Sequence, residues 1–97
     1  MKREGRCDHK VPGGKLIRVV VEEGESGISD VRIYGDFFLY PEEAMDRIEE
    51  MALEMVDDLD GFQKRLDEYL SREDVEIFGA GAEGIRFAVE GAVKNLE

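Results

Sequence analysis

From Lys15 to Glu22, apolar and polar side chains alternate, with Ile17, Val19 and Val21 on one side and Leu16, Arg18, Val20 and Glu22 on the other. A period of two, with β-branched residues at the apolar positions, predicts a strand with one buried face. Past Glu23-Gly24-Glu25-Ser26-Gly27, a loop rich in turn residues, the alternation resumes and sets Ser29, Val31 and Ile33 against Ile28, Asp30, Arg32 and Tyr34. Two such runs joined by a glycine-containing loop read as a β-hairpin. Its shared apolar face, built from Ile17, Val19, Val21, Val31 and Ile33, is too small to be stable alone, so the rest of the chain must supply a covering layer.

That layer reads as helical. Pro41 suits a first helical position, and Glu42 and Glu43 follow where carboxylates favour the positive end of a helix dipole. Met45, Ile48, Ala52, Met55, Val56 and Leu59 then recur at spacings of three and four, while Asp46, Arg47, Glu49, Glu50 and Glu54 fall outside the stripe as a solvated face. Asp60-Gly61-Phe62-Gln63 resembles a capping box opening a second helix, with Phe62, Leu66, Tyr69 and Leu70 as its buried side and an end near Ser71 to Asp74. Val75 to Phe78 reads as an extended link and Gly79 to Ala82 as a flexible junction. From Glu83 onward Ile85, Val89, Ala92, Val93 and Leu96 keep helical spacing despite Gly84 and Gly91. Upstream of the hairpin, Cys7 to Val11 reads as a short edge strand leading into the turn Val11-Pro12-Gly13-Gly14. Strands first and helices after define an α+β fold: a hairpin or three-stranded antiparallel sheet in the N-terminal half, covered by about three helices.

At 97 residues the chain fits one domain spanning 1–97. With 24 acidic and 13 basic residues its formal net charge is −11, which repels a polyanionic backbone and argues against nucleic acid. The aliphatic run around Val19 is broken by Arg18 and nothing approaches a bilayer-spanning length, so no membrane partner is expected. A single cysteine and an N-terminus without an apolar leader point to the cytoplasm.

Material for catalysis is thin. Cys7 and His9 would share one face of a strand, but two ligands do not close a metal site, and no serine stands in a nucleophile's setting. Gly79-Ala80-Gly81-Ala82-Glu83-Gly84 matches G-x-G-x-x-G, yet only 13 residues remain after Gly84, too few for a dinucleotide-binding unit. No catalytic or metal-binding residue is therefore expected. Tyr34-Gly35-Asp36-Phe37-Phe38-Leu39-Tyr40 stands apart: four aromatics and a leucine in seven residues either plug the gap between sheet and helix or form a contact surface for another protein.

The same residues carry a resemblance. Gly13-Gly14-Lys15, the strand to Glu22, the loop at Gly24 to Gly27 and Val31-Arg32-Ile33-Tyr34-Gly35-Asp36-Phe37-Phe38 ahead of a helix are similar to the C-terminal accessory domain of lipoate-protein ligase A, best over roughly 11–59. In some organisms that domain resembles a separate small protein, an arrangement that a chain beginning at Met1 suits. The resemblance implies a non-catalytic subunit supporting ATP-dependent lipoate adenylation, with lipoate, ATP and Mg bound in the complex with the catalytic subunit. It further implies lipoyl transfer to acceptor domains of 2-oxoacid dehydrogenase complexes or the glycine cleavage H protein. Candidate partner-binding residues are Gly13, Gly14, Lys15, Tyr34, Gly35, Asp36, Phe37 and Phe38. The family's fold is also related to iron–sulfur assembly scaffolds, which makes a scaffold-like protein one alternative; an acidic self-associating module is another.

Overall fold

The computed structural model describes residues 2–96. Strands β1 (Arg3–Lys10), β2 (Leu16–Gly24) and β3 (Gly27–Gly35) form an antiparallel sheet in the order β1-β2-β3. Strand β4 (Phe38–Tyr40) follows, then α1 (Ala44–Glu54), α2 (Leu59–Leu70), β5 (Glu76–Phe78) and α3 (Ala82–Lys94). The α+β arrangement is the one expected from the sequence. Ile17, Val19 and Val21 are fully buried and Val31 and Ile33 nearly so, as the alternation requires. Helix α3 packs over β1 and β2, and α1 over β3. Helix α2 lies against α3 and sends Phe62 and Leu66 into the same core.

Strand β1 begins four residues earlier than the expected Cys7 and stops at Lys10 rather than Val11. Its inward positions are Gly5, Cys7 and His9, so it carries no row of β-branched side chains to announce it. The small residues are a condition of the packing. A Cβ on Gly5 would overlap the backbone carbonyl oxygen of Ala92, and one on Gly91 would lie 2.6 Å from Cys7 Sγ. Close approach of α3 to β1 therefore depends on missing side chains on both partners. The hairpin turn is also tighter than the expected five-residue loop, because Gly24 pairs with Gly27 and only Glu25 and Ser26 remain outside the ladder.

Helix α1 is shorter than its apolar stripe suggests, since Met55, Val56 and Leu59 lie beyond its end. Pro41 sits in a turn ahead of α1, where Ala44 N–H donates to Pro41 C=O and Met45 N–H to Glu42 C=O, the three-residue spacing of a tight 3₁₀ turn. At the other end α1 stops at Glu54, since Asp58 N–H bonds back to Met55 and the Asp58 side chain accepts from Gly61 N–H at 3.1 Å. The cap of α2 is therefore Asp58 and not Asp60. Gln63, expected to reach back to the cap, accepts instead from the Arg86 guanidinium of α3 at 3.0 Å. Glu49, expected on a solvated face, accepts from Ile33 N–H at 2.7 Å and closes part of the open edge of β3.

The extended link at 75–78 is a strand. Strand β5 pairs antiparallel with β4, matching Phe38 with Phe78, Leu39 with Ile77 and Tyr40 with Glu76. This second, two-stranded sheet turns Leu39 and Ile77 toward the core and the other four side chains outward.

The substitution Gly5→Ala forces a Cβ into the backbone of α3 and is expected to lower stability by about 1–3 kcal/mol, the usual cost of overpacking. Thermal denaturation by circular dichroism measures it; an unchanged melting temperature would mean that α3 does not sit this close to β1.

Candidate partner-binding surface

The turn joining β1 and β2, the junction between β3 and β4, and the entry to α3 meet around Gly79. This residue has φ +89°, a left-handed conformation that glycine adopts without penalty. Its carbonyl accepts from Lys15 N–H at 2.8 Å. A Cβ at Gly79 would lie 2.5 Å from Lys15 Cγ and 3.5 Å from Phe37 Cβ, so the Lys15 stem and Phe37 close over it. Asp36 N–H donates to Leu16 C=O at 3.1 Å, and the Phe37 ring would come within 2.7 Å of a Cβ on Gly35. The fold thus gathers Gly14, Lys15, Gly35, Asp36 and Phe37 into one contact, with Gly13 at the exposed tip of the turn. Tyr34 lies outside that contact, paired with Arg18 on the uncovered face of the sheet and 47% exposed.

The aromatic run divides by the pleat of a strand. Phe37 and Leu39 are half-buried and pack on the core, while Phe38 and Tyr40 point away, 51% and 58% exposed. Phe78, 65% exposed, completes the outward set from β5, its ring centroid 5.9 Å from that of Phe38. Phe78 was not a candidate from the sequence. The only signal for it was a lone phenylalanine in a segment too short to show a period. Phe87 on α3 is the fifth exposed aromatic; its centroid lies 4.4 Å from the His9 ring, and with Val11, Pro12 and Gly84 the pair lines a groove of about 490 Å³. Five of the eight aromatic residues therefore face outward.

Cys7 and His9 do share a face of β1, but it is the face under α3. Burial pushes the Cys7 thiol above its usual range, and the neighbouring Asp8 charge adds to the effect. Asp8 is held below the ordinary carboxylate range chiefly by its hydrogen bond to Arg18, at 2.8 Å across the ladder. Among the described residues no group of three or more His, Cys, Asp or Glu side chains is placed to hold a metal ion. Helix α3 opens on Gly81 without a side-chain cap, and Glu83 in its first turn disfavours a phosphate there. A larger depression of about 670 Å³ beside α2 and α3 is lined by Asp60, Gln63, Lys64 and Arg86, the last tied to Asp60 and Gln63 at 3.0 Å each. No helix among the described residues is long and apolar enough to cross a membrane.

Fold and surface together define a small α+β module with a self-contained core and an aromatic exterior. No family model matches the chain. It is 38% identical over 48 residues to lipoate-protein ligase A subunit 2 of Thermoplasma acidophilum, a stretch that is 45% of this chain and 51% of that protein, so the match spans about half the length of the curated relative. A solved chain from an archaeal lipoylation system, comprising a bi-partite lipoate protein ligase and its E2 lipoyl domain from the same organism, matches with a TM-score of 0.56 and 26% identity. That match covers 92% of this chain and 94% of the other. The fold over 92% of this chain is thus similar to that of a chain from this lipoylation system.

Because Phe37 packs inward and Phe38 outward, Phe37→Ala is expected to cost about 2–3 kcal/mol of stability and Phe38→Ala no more than about 0.5–1. Equal losses in urea titrations would contradict the assigned sides. The fold also favours a neutral Cys7 thiol, so its contribution is present at neutral pH and fades on the alkaline side as the thiolate forms. Native Cys7 is expected to react slowly with a disulfide reagent near pH 7 and quickly once the chain is unfolded in urea; fast native labelling would mean an accessible, activated thiol.

Proposed function

We propose that this chain is the non-catalytic accessory subunit of a two-part lipoate-protein ligase. In this reading it supports ATP-dependent adenylation of lipoate by a separate catalytic subunit, ahead of lipoyl transfer to a lysine of an acceptor domain. The observation that carries the proposal is the structural likeness over 92% of this chain to a chain of the Thermoplasma lipoylation system, together with 38% identity over 48 residues to lipoate-protein ligase A subunit 2 of that organism. The charge and side-chain placement agree with a contact role. In this reading lipoate, ATP and Mg are held in the complex with the catalytic subunit. The contribution of this chain is made through the surface it presents, in the compartment where the acceptor domains reside, which we take to be the cytoplasm.

A partner that binds only the folded chain raises its apparent stability by mass action. Mixing with the catalytic subunit is expected to raise the melting temperature and to yield pyrophosphate release from lipoate and ATP, which this chain alone does not produce. Separate elution of the two proteins at micromolar concentrations, or pyrophosphate release by this chain alone with ligase contamination excluded, would overturn the proposal.

A further inference from the structure

The ribbon formed by β4 and β5 shows what kind of surface the partner must present. Phe38, Tyr40 and Phe78 stand together on its outer side, each more than half exposed, while the inner side chains Leu39 and Ile77 already serve the core. Three large aromatic faces left in water on a six-residue ribbon exceed what packing of this domain requires. Carboxylates outnumber cations around the ribbon: Glu76 stands opposite Tyr40, Asp36 precedes Phe38 by two residues, and Glu42 follows Tyr40 by two, all exposed, with Lys15 over Gly79 as the cation beside them. None of these three carboxylates makes an ion pair among the described residues, unlike Asp74, which Arg72 holds at 3.0 Å. The wider charge distribution points the same way. Residues 1–40 carry seven basic and seven acidic side chains, whereas residues 41–97 carry six and seventeen, so the helical half holds the entire net charge of −11.

We infer that the β4–β5 ribbon is the anchor of the protein–protein interface, and that its occupant is an apolar, concave surface of a different protein rimmed by lysine and arginine. Under the proposed function this occupant belongs to the catalytic subunit, and the inference rests on that reading. A second copy of this chain is the wrong chemistry, since pairing two ribbons would bring two unpaired acidic rims of like sign together. Aromatic anchors supply the burial, and the carboxylates select a basic rim and speed encounter.

The test is calorimetric titration of the full chain with the catalytic subunit of the same cell, in parallel for the wild type, the double variant Phe38→Ser/Phe78→Ser and Glu76→Lys. Binding is expected to weaken at least tenfold in each variant, and wild-type affinity to fall as salt rises more steeply than that of Glu76→Lys. Circular dichroism melts establish that the variants fold; should the double variant melt early, the exposed Glu76→Lys carries the decision. Wild-type-like affinity of well-folded variants overturns this inference and leaves the subunit reading standing. No binding by the wild-type chain overturns the subunit reading itself. Concentration-dependent self-association of the chain alone, abolished by Phe38→Ser/Phe78→Ser, overturns the heterologous occupant in favour of a second copy.

Discussion

Everything in this fold depends on covering one face of a three-stranded sheet. Ile17, Val19, Val21, Val31 and Ile33 form a continuous aliphatic surface that water would not tolerate, and α1 and α3 remove it from solvent together. The closeness of that cover is set at the β1 side, where Gly5 and Cys7 lie under the backbone of α3 and Gly91 leaves room for the cysteine sulfur. Helix α2 adds Phe62 and Leu66 to the same core. With these contacts made, and Phe37 and Tyr69 packed against the same core, Tyr34, Phe38, Tyr40, Phe78 and Phe87 are left exposed.

That surplus is what gives the surface its character. The uncovered side of the sheet is a ladder of paired charges such as Arg18 with Asp8 and Arg32 with Asp30, exposed pairs of small energetic value that keep the face wet. The β4–β5 ribbon is the opposite case, with exposed aromatics, the Phe38 and Phe78 rings tilted against each other, instead of compensated charges. Its position is held from within by Leu39 and Ile77, and its approach to the sheet by the contact of Lys15 and Phe37 over Gly79. Exposed rings on a ribbon anchored in the core form a stiff surface, and stiffness lowers the entropy lost when a partner docks.

The parts of this architecture legible in the sequence were those with a local period. Strands β2 and β3 showed themselves through β-branched alternation, and the three helices through their stripes. Strand β1 was only half visible because its buried positions hold Gly5, Cys7 and His9, which pack well but do not read as apolar. The cap of α2 moved from Asp60 to Asp58 because several acids in a row offer equivalent caps, and only the break after Met55 selects among them. The ribbon was hidden for a different reason: two three-residue strands separated by α1 and α2 leave no periodic trace, and their pairing is settled by the tertiary fold. Hence Tyr34 to Tyr40 could be singled out as unusual, yet the inward turn of Phe37, the outward turn of Phe38 and the part played by Phe78 needed the pleat and the pairing. The family likeness was readable because Gly13 to Phe38 is a turn, a hairpin and a junction whose residues are set by backbone contacts.

The inferred interface rests on three of the five exposed aromatics, Phe38, Tyr40 and Phe78, standing together on the β4–β5 ribbon of a domain whose core is otherwise closed. Amide hydrogen exchange of this chain, free and saturated with the catalytic subunit, tests it most directly, since protection marks the backbone that the partner covers. The expected result is new protection confined to residues 34–40 and 75–81, with the outer faces of α1 and α2 exchanging as in the free chain. Protection centred on those acidic helices, with the ribbon unchanged, would contradict the account.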